Sequence, residues 1–321
     1  MSAPAQIRTR VTEVAAASSS VVTLRLVAGT GQPLGPYEAG AHIDVTGPTG
    51  VLRQYSLCSP PEDQGSLLIA VKLEPASRGG SAALHTVAVG DEVTIGAPRN
   101  LIALAPGADR HLLVAGGIGV TPLLSMAYEL SRRGDDYTLV YLARSREEAA
   151  FVDLLETDPR FAGRVQVHLG LPRAEVPAVL ASAAAVLTPA SHVYTCGPQG
   201  FMDAVTAALT PVVGADQVHV EHFVAAQTDT SGDTAFTVAL DTGEEFEVPA
   251  GRSILSVLTD NGIDVFKSCE EGICGSCVSG VLEGVPEHRD QCLSAADKAT
   301  GDQMALCVSR TRGERLVIEL Y

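Results

Sequence analysis

The sequence predicts a multidomain chain that joins an antiparallel β-barrel, a doubly wound parallel α/β domain and a smaller α+β domain. Three observations support this fold class: short strands separated by turn residues come first, strands alternating with helices follow, and a cysteine-rich segment comes last. The 321 residues exceed one typical domain of about 150 residues. The apolar fraction of 46% is typical of a folded protein and excludes intrinsic disorder.

The first segment predicts the barrel. Between residues 7 and 105, short apolar runs alternate with Gly and Pro, a pattern typical of antiparallel strands. Six strands are predicted: Ile7–Val14, Val21–Val27, His42–Val45, Val51–Leu57, Leu67–Leu73 and Val93–Ile95.

The second segment changes its period after Pro106. Apolar strand runs alternate here with Ala-rich stretches of helical pattern, which favours a parallel sheet covered on both faces. The predicted elements are the strands His111–Ala115, Tyr137–Ala143, Val165–Leu169 and His192–Thr195 and the helix Pro122–Arg133.

The third segment follows a polar stretch, Ala226–Asp233, that has the composition of a linker. Beyond it, Ala235–Leu240 and Glu244–Val248 predict a hairpin, and Ser253 is the expected N-cap of a short helix, Ile254–Asn261. We therefore place the barrel at residues 1–105, the α/β domain at 106–225, the linker at 226–234 and the last domain at 235–321.

The charge balance limits the partners of this chain. Lys and Arg total 22 and Asp and Glu total 38, and the net charge of −16 repels nucleic acids and anionic membrane surfaces. No apolar run is long enough to span a membrane, and residues 1–11 lack the apolar core of a signal peptide. We therefore expect a cytoplasmic protein whose seven cysteines serve metal binding or catalysis rather than a disulfide framework.

Four cysteines give the strongest signal. Cys269, Cys274 and Cys277 leave four and then two residues between them, and Cys307 follows on a distant segment. This is the plant-type spacing for a 2Fe-2S cluster, in which one loop wraps the cluster with three thiolates. The alternatives are four buried cysteines or a zinc site, although zinc sites normally use two well-separated ligand pairs. Of the other cysteines, Cys58 and Cys292 are predicted to be buried as small apolar residues.

Two glycine turns predict a nucleotide site. The first, Gly116-Gly117-Ile118-Gly119, joins a strand to the helix that begins near Thr121 and Pro122, where the backbone can approach a pyrophosphate. The full Rossmann glycine spacing is absent, so a tight turn without a ligand is the alternative. The second turn, Cys196-Gly197-Pro198, ends a later strand, and the carboxyl ends of parallel strands share an edge.

Two barrel motifs suit a phosphorylated aromatic ligand. Arg53-Gln54-Tyr55-Ser56 lies on a strand, and Arg78-Gly79-Gly80-Ser81 lies on a loop. Arginine can bind a phosphate, tyrosine can stack on a ring, and hydroxyl and glycine N–H groups can donate hydrogen bonds. The alternative is an ordinary exposed pair on one strand face.

In this order, the Arg53-x-Tyr55-Ser56 motif, the two glycine turns and the cysteine cluster resemble the phthalate dioxygenase reductase family. The resemblance spans essentially the whole chain, and the vanillate O-demethylase reductases are the most similar branch. The motifs before the cysteines also occur in the wider ferredoxin–NADP reductase superfamily, whereas the C-terminal cluster module points to this family. The resemblance implies a flavin-binding barrel, a nucleotide-binding α/β domain and a C-terminal β-grasp domain of the plant-type ferredoxin class.

The resemblance also implies roles for individual residues. FMN would bind the barrel, with Arg53 at its phosphate, Tyr55 against the isoalloxazine ring and Ser56 near N5. Phe223 would cover the flavin, with a core-edge aromatic as the alternative. The rest of the phosphate pocket would comprise Arg78, Gly79, Gly80 and Ser81.

For the nicotinamide nucleotide, the resemblance implies binding at the glycine turns and at Thr121, with Cys196 beside the nicotinamide ring. The second strand of the sheet ends with Arg144 and Arg146 and lacks the acid that usually binds the ribose of NAD. Two arginines would suit a 2′-phosphate. The family resemblance favours NADH, which is our prediction.

These inferences together predict an oxygenase reductase. Hydride would pass from NADH to FMN, and electrons would leave singly through the cluster to a terminal oxygenase, expected to be of the Rieske type. The alternatives are a haem monooxygenase as the acceptor, a stand-alone flavin reductase or NADH oxidase, and an iron–sulfur sensor without flavin. Residues 235–321 carry 15 acidic and 7 basic side chains, which predicts an acidic docking face or simply a solvated surface. We expect a monomer.

Overall fold

The computed structural model describes residues 6–75, 79–226 and 229–320. The chain divides into two compact units between Glu221 and His222. The first unit contains an antiparallel barrel and a parallel sheet, and the second contains a mixed sheet.

The barrel consists of six antiparallel strands in the order β4-β3-β6-β1-β2-β5. A bridge between Leu57 and Ile69 joins the end of β4 to β5 and closes the barrel. Its interior is filled by one face of each strand, as in Leu24, Ile43 and Ile69. The elements are β1 (Ile7–Ala16), β2 (Val21–Ala28), β3 (His42–Thr46), β4 (Leu52–Ser56), β5 (Leu67–Lys72), α1 (Gly80–Leu84) and β6 (Glu92–Ile95).

The parallel sheet has the order β11-β10-β7-β8-β9. One core packs α2 against the sheet and another packs α4 and α5 against it, so helices cover both faces, as predicted. The elements are β7 (His111–Gly116), α2 (Val120–Arg133), β8 (Tyr137–Ala143), α3 (Val152–Thr157), β9 (Val165–Leu169), α4 (Val176–Ala184), β10 (His192–Cys196), α5 (Gln199–Val213) and β11 (Val218–Glu221).

The barrel and the parallel sheet share one core within the first unit. Barrel residues Val21, Cys58 and Ala70 belong to the same apolar cluster as the residues of α2. The backbone N–H of Gly40 donates to Ser125 Oγ on α2 at 2.9 Å. Burial of apolar surface therefore fixes the barrel against α2.

The second unit has a five-stranded mixed sheet in the order β13-β12-β18-β14-β16. β12 and β18 are parallel, the other pairs are antiparallel, and α6 packs on the sheet, which is the expected β-grasp architecture. The elements are β12 (Phe236–Leu240), β13 (Glu245–Val248), α6 (Ile254–Asp260), β14 (Val278–Glu283), β15 (Pro286–Glu287), α7 (Ala295–Thr300), β16 (Gln303–Ala305), β17 (Arg310–Thr311) and β18 (Arg315–Glu319).

The polar stretch before β12 belongs to the second unit. Asp233 is buried and lies 2.7 Å from Arg289 Nη2 and 3.6 Å from Arg310 Nε. Within the described ranges, no helix combines the length and the apolar character that crossing a membrane requires.

Candidate functional site

Arg53 and the glycine loop lie together on the barrel. A Cβ atom at Gly80 would stand 2.9 Å from Arg53 Cγ, so the loop approaches this side chain closely only because it carries glycine. Arg53 Nη1 donates to the carbonyl of Leu52 at 2.6 Å, and the guanidinium makes no ion pair within the described residues. Its other N–H groups can therefore bind a phosphate. Arg78, predicted for the same pocket, lies outside the described residues.

Tyr55 and Ser56 are neighbours on β4 and so point to opposite faces of the strand. Tyr55 packs beside the barrel core, and burial raises the pKa of its hydroxyl to about 12. Ser56 is 5% exposed, and its hydroxyl has no hydrogen-bond partner within the described residues. A buried hydroxyl without a partner is costly, and a ring nitrogen of a bound flavin would satisfy it. This part of the predicted flavin site therefore fits the cofactor.

His42 and Glu221 form a buried polar cluster with Ser56 that the sequence analysis missed. His42 pairs with Ser56 across β3 and β4, and its Nδ1 lies 3.8 Å from Glu221 Oε1. Both ring nitrogens of His42 and Oε2 of Glu221 lack hydrogen-bond partners within the described part of the chain. The available signals were a histidine at the start of β3 and a glutamate at the end of β11.

Burial makes this cluster electrically neutral. It lowers the pKa of His42 to about 4, with a further contribution from the nearby Arg99 guanidinium. It raises the pKa of Glu221 to about 8. Glu221 also faces Cys196 on the neighbouring strand. Burial raises the pKa of the Cys196 thiol well above its usual value, and the nearby Glu221 carboxyl contributes to a lesser degree. The cluster can hold and move a proton without placing a charge in the core.

The two glycine turns meet at the carboxyl edge of the parallel sheet, as the sequence predicted. A Cβ on Gly119 would lie 2.2 Å from the carbonyl oxygen of Cys196, and one on Gly197 would lie 3.0 Å from Gly116 Cα. Gly117 has a φ of 56°, and no atom lies within 4 Å of the position of its Cβ, so its surface remains open. This edge combines open backbone with the start of α2, which is where a pyrophosphate would bind.

The remaining nucleotide residues occupy the same edge. Thr121 and Pro122 begin α2, and the Thr121 hydroxyl donates to the carbonyl of Ile118 at 3.0 Å. Arg146 is engaged by Asp153 at 2.6 Å and by Glu156 at 2.7 Å. Arg144 is exposed and makes no ion pair within the described residues. One unpaired arginine therefore stands at the end of β8 rather than two.

Phe223 belongs to the second unit, two residues beyond the end of β11 in the sequence, and is 37% exposed. Pro198 precedes α5 and contacts the position where Gly116 would carry a Cβ, at 3.2 Å.

The four predicted metal ligands form two couples in the second unit. Cys269 lies beside Cys274, and Cys307 lies beside Cys277. The neighbouring Cys269 thiol lowers the pKa of Cys274 to about 5, and the neighbouring Cys307 thiol lowers the pKa of Cys277. Two couples match the two irons of a 2Fe-2S cluster, each of which takes two thiolates. Among the described residues, no group of three or more His, Cys, Asp or Glu side chains is arranged around a single metal ion.

The loop around these thiols is shaped for an anionic cluster. Backbone N–H groups of the loop point at the sulfurs, including that of Glu271, which donates to Cys269 Sγ at 3.3 Å. Gly272 and Gly275 have φ values of 75° and 71°, which favour glycine. Inward N–H groups offset the negative charge of thiolates and sulfides. The chemistry of this donor set therefore fits the cluster.

These features define a modular oxidoreductase in which a nucleotide-binding flavoprotein unit precedes a 2Fe-2S domain. The family model for the 2Fe-2S iron–sulfur cluster binding domain matches residues 238–312.

Similarity to known proteins extends over nearly the whole chain. Vanillate O-demethylase oxidoreductase from Pseudomonas sp. (strain HR199 / DSM 7063) is 42% identical over 94% of this chain and 96% of its own. The structure of phthalate dioxygenase reductase is 38% identical, covers 98% of both chains and has a TM-score of 0.71. An intact type IV self-sufficient cytochrome P450 monooxygenase is 36% identical with a TM-score of 0.88, and this chain spans 41% of its length.

The chain therefore belongs to the family of iron–sulfur oxygenase reductases that includes phthalate dioxygenase reductase and vanillate O-demethylase oxidoreductase. The predicted fold class, family and oxidoreductase activity are confirmed.

Proposed function

We propose that this protein passes electrons from NADH through FMN and a 2Fe-2S cluster to a terminal oxygenase. The observation that carries the proposal is the pairing of Cys269 with Cys274 and of Cys277 with Cys307 in a chain that also holds a nucleotide-binding edge. Bound FMN supplies the conversion between a two-electron hydride donor and a one-electron cluster. Every other role falls to residues of the chain.

On the barrel, Arg53 binds the FMN phosphate together with the backbone of Gly79 and Gly80. Tyr55 packs on the ring, and the unpartnered Ser56 hydroxyl contacts its N5 edge. The protonated carboxyl of Glu221 and the neutral imidazole of His42 lie beside Ser56. The imidazole could accept a proton from a bound ring, and the carboxyl could donate one. Phe223 is proposed to cover the ring.

At the sheet edge, Gly116, Gly117 and Gly119 bind the pyrophosphate of the nucleotide with Thr121 and Pro122. Cys196 contacts the nicotinamide as a neutral thiol, because burial keeps its pKa high. Since Arg146 is engaged by two acids, only Arg144 remains for a 2′-phosphate, and this supports NADH over NADPH. Kinetics with both nucleotides test this choice.

Cys269 is the most exposed of the four ligands, since the other three are at most 8% exposed. Exposed Glu270 lies next to it and adds to the negative charge of the domain. We place electron exit, and docking of a Rieske-type oxygenase, at this loop. A monomer and a cytoplasmic location remain predictions.

An anaerobic titration with NADH tests the function. Purified protein should show flavin and cluster absorption together, NADH should bleach the flavin, and the reduced-cluster electron paramagnetic resonance signal should follow. The proposal fails if the protein binds no flavin, as an iron–sulfur sensor requires. It also fails if the cluster stays oxidised while flavin turns over, as a stand-alone flavin reductase requires.

A haem monooxygenase is the second acceptor class, favoured by the match to part of a self-sufficient cytochrome P450 chain. Steady-state reduction of a Rieske oxygenase and of a separate cytochrome P450 by the same preparation distinguishes the two acceptors.

A further inference from the structure

The segment 222–226, here called the crossover segment, follows Glu221 and opens the second unit. It forms neither helix nor strand, and it carries Phe223 and Val224, which are 37% and 77% exposed. A short irregular segment with exposed apolar side chains needs specific contacts to hold one conformation.

The side chain of Gln291 holds both ends of the crossover segment. Its Nε2 donates to His222 Nδ1 at 2.9 Å, and its Oε1 accepts from the backbone N–H of Ala226 at 2.7 Å. One amide therefore brackets Phe223 from both sides in sequence.

The backbone of Gln291 contacts the cluster loop. Its N–H donates to the carbonyl of Gly272 at 2.8 Å, between Cys269 and Cys274. A Cβ on Gly272 would stand 3.2 Å from the Cα of Asp290, so the two chain segments are tightly apposed.

The neighbouring Asp290 holds Gln291 in place. The Asp290 carboxylate is fully buried and accepts from the Leu293 N–H at 3.0 Å and from the Ser309 hydroxyl at 3.1 Å. These bonds hold the residue that precedes Gln291 and thereby support the contact with Gly272.

We infer that Gln291 is a positioning residue that fixes the crossover segment to the cluster loop and so sets the rate at which electrons pass from flavin to cluster. The inference rests on the proposed function. Electron transfer between bound groups falls steeply with distance, and residues 222–226 follow directly on the unit that would hold the flavin. A side chain that ties these residues to the cluster loop would therefore control the rate without touching either group. Supporting contacts that hold such geometry are known to matter for precise sites.

The test is single-turnover mixing of anaerobic holoprotein with NADH. Gln291→Met keeps the length of the side chain and removes both amide hydrogen bonds, while the backbone bond to Gly272 remains. Flavin bleaching should keep its rate, and cluster reduction should slow about tenfold or more, a scale typical of small displacements in positioned sites. The cluster spectrum and midpoint potential should be unchanged.

Hydrogen exchange gives a readout that is independent of activity. The Ala226 amide should lose protection in Gln291→Met, because its acceptor is gone. Gln303→Met is the matched control, since Gln303 lies in the same unit and its side chain makes no hydrogen bond within the described residues. Gln291→Glu keeps the acceptor for Ala226 and loses the donor to His222, so it should slow cluster reduction less.

The results that would overturn the inference differ from the result that would contradict the proposed function. An unchanged flavin-to-cluster rate with lost Ala226 protection overturns the inference, as does equal slowing by Gln303→Met. If Gln291→Met fails to assemble the cluster, a wild-type rate in Gln291→Glu overturns it, and a partial loss supports it. Absence of flavin bleaching in the wild type is a different result, which contradicts the proposed function instead.

Discussion

The cluster loop and the flavin side of the barrel solve the same problem, holding a redox group, in opposite ways. Three of the four predicted cluster ligands come from nine consecutive residues, and the loop supplies its own N–H donors. On the flavin side, His42 and Ser56 come from neighbouring barrel strands and Glu221 comes from β11 of the parallel sheet, and each has a buried polar atom without a partner among the described residues. A local site is complete before any cofactor arrives, whereas a site assembled by the fold keeps unsatisfied atoms for its ligand.

The largest expected effect is a loss of cluster function that leaves flavin reduction intact. Cys274→Ser removes one ligand of the first couple, so reduction of a protein acceptor should fall to background. The flavin site uses no residue of that loop, so NADH should still bleach the flavin at the wild-type rate. Stopped-flow absorbance and acceptor assays measure both. Retained acceptor reduction would show that the cluster is bypassed.

A substitution at Gly119 should affect only the proposed nucleotide site at the glycine turns. In Gly119→Ala the new Cβ would stand 2.2 Å from the Cys196 carbonyl, so the turns must move apart. Overpacking of this kind costs about 1–3 kcal/mol, and we expect a raised KM for NADH with an intact cluster spectrum. Gly200→Ala is the control, because nothing lies within 4 Å of that Cβ position in α5. A normal KM in Gly119→Ala would mean that this turn does not bind the nucleotide.

The buried carboxyl of Glu221 should make the stability of the protein depend on pH. Because burial raises the pKa of Glu221 to about 8, the folded chain keeps a proton that the unfolded chain releases near pH 4.5. The stability this proton provides is complete below about pH 4.5 and is lost as the pH rises through about 8, by at most about 1.4 kcal/mol per pH unit. Glu221→Gln should remove this dependence and gain stability relative to wild type as pH rises. Urea titrations from about pH 5 to pH 8 measure it; parallel curves for both proteins would contradict it.

The smallest effect should come from surface charge at the cluster loop. Glu270 is exposed, and its side chain lies 3.5 Å from Lys267. Glu270→Lys should lower kcat/KM for the acceptor protein a few-fold, mainly at low salt, because rim charges act on association. Glu247→Lys makes the same charge change on β13, the edge strand opposite β16, and should have less effect. Equal effects would indicate general repulsion rather than docking at this loop.

Features built from one local stretch of chain were predicted from the sequence, whereas contacts between distant segments were not. Period and turn residues located the predicted strands to within a residue or two, since Tyr137–Ala143 and Val165–Leu169 have the predicted bounds, but the strands β14 to β18 were not predicted. Cysteine spacing predicted the cluster ligands because a loop ligates locally. His42, Glu221 and Gln291 were missed because their significance lies in contacts between distant segments, to which a single sequence gives no periodic signal.

The buried pairing of Asp233 with Arg289 and Arg310 bears on how the iron–sulfur domain can be expressed alone. A fragment starting at residue 235 would lack Asp233, which leaves Arg289 with Glu287 alone and leaves the 5% exposed Arg310 without an ion pair among the described residues. A buried charge that loses its partner is strongly destabilising. A fragment starting at His222 would retain both the Asp233 carboxylate and the crossover segment that Gln291 holds. The polar composition of residues 226–234 suggests a place to cut the gene, but the ion pairs put the better truncation point several residues earlier.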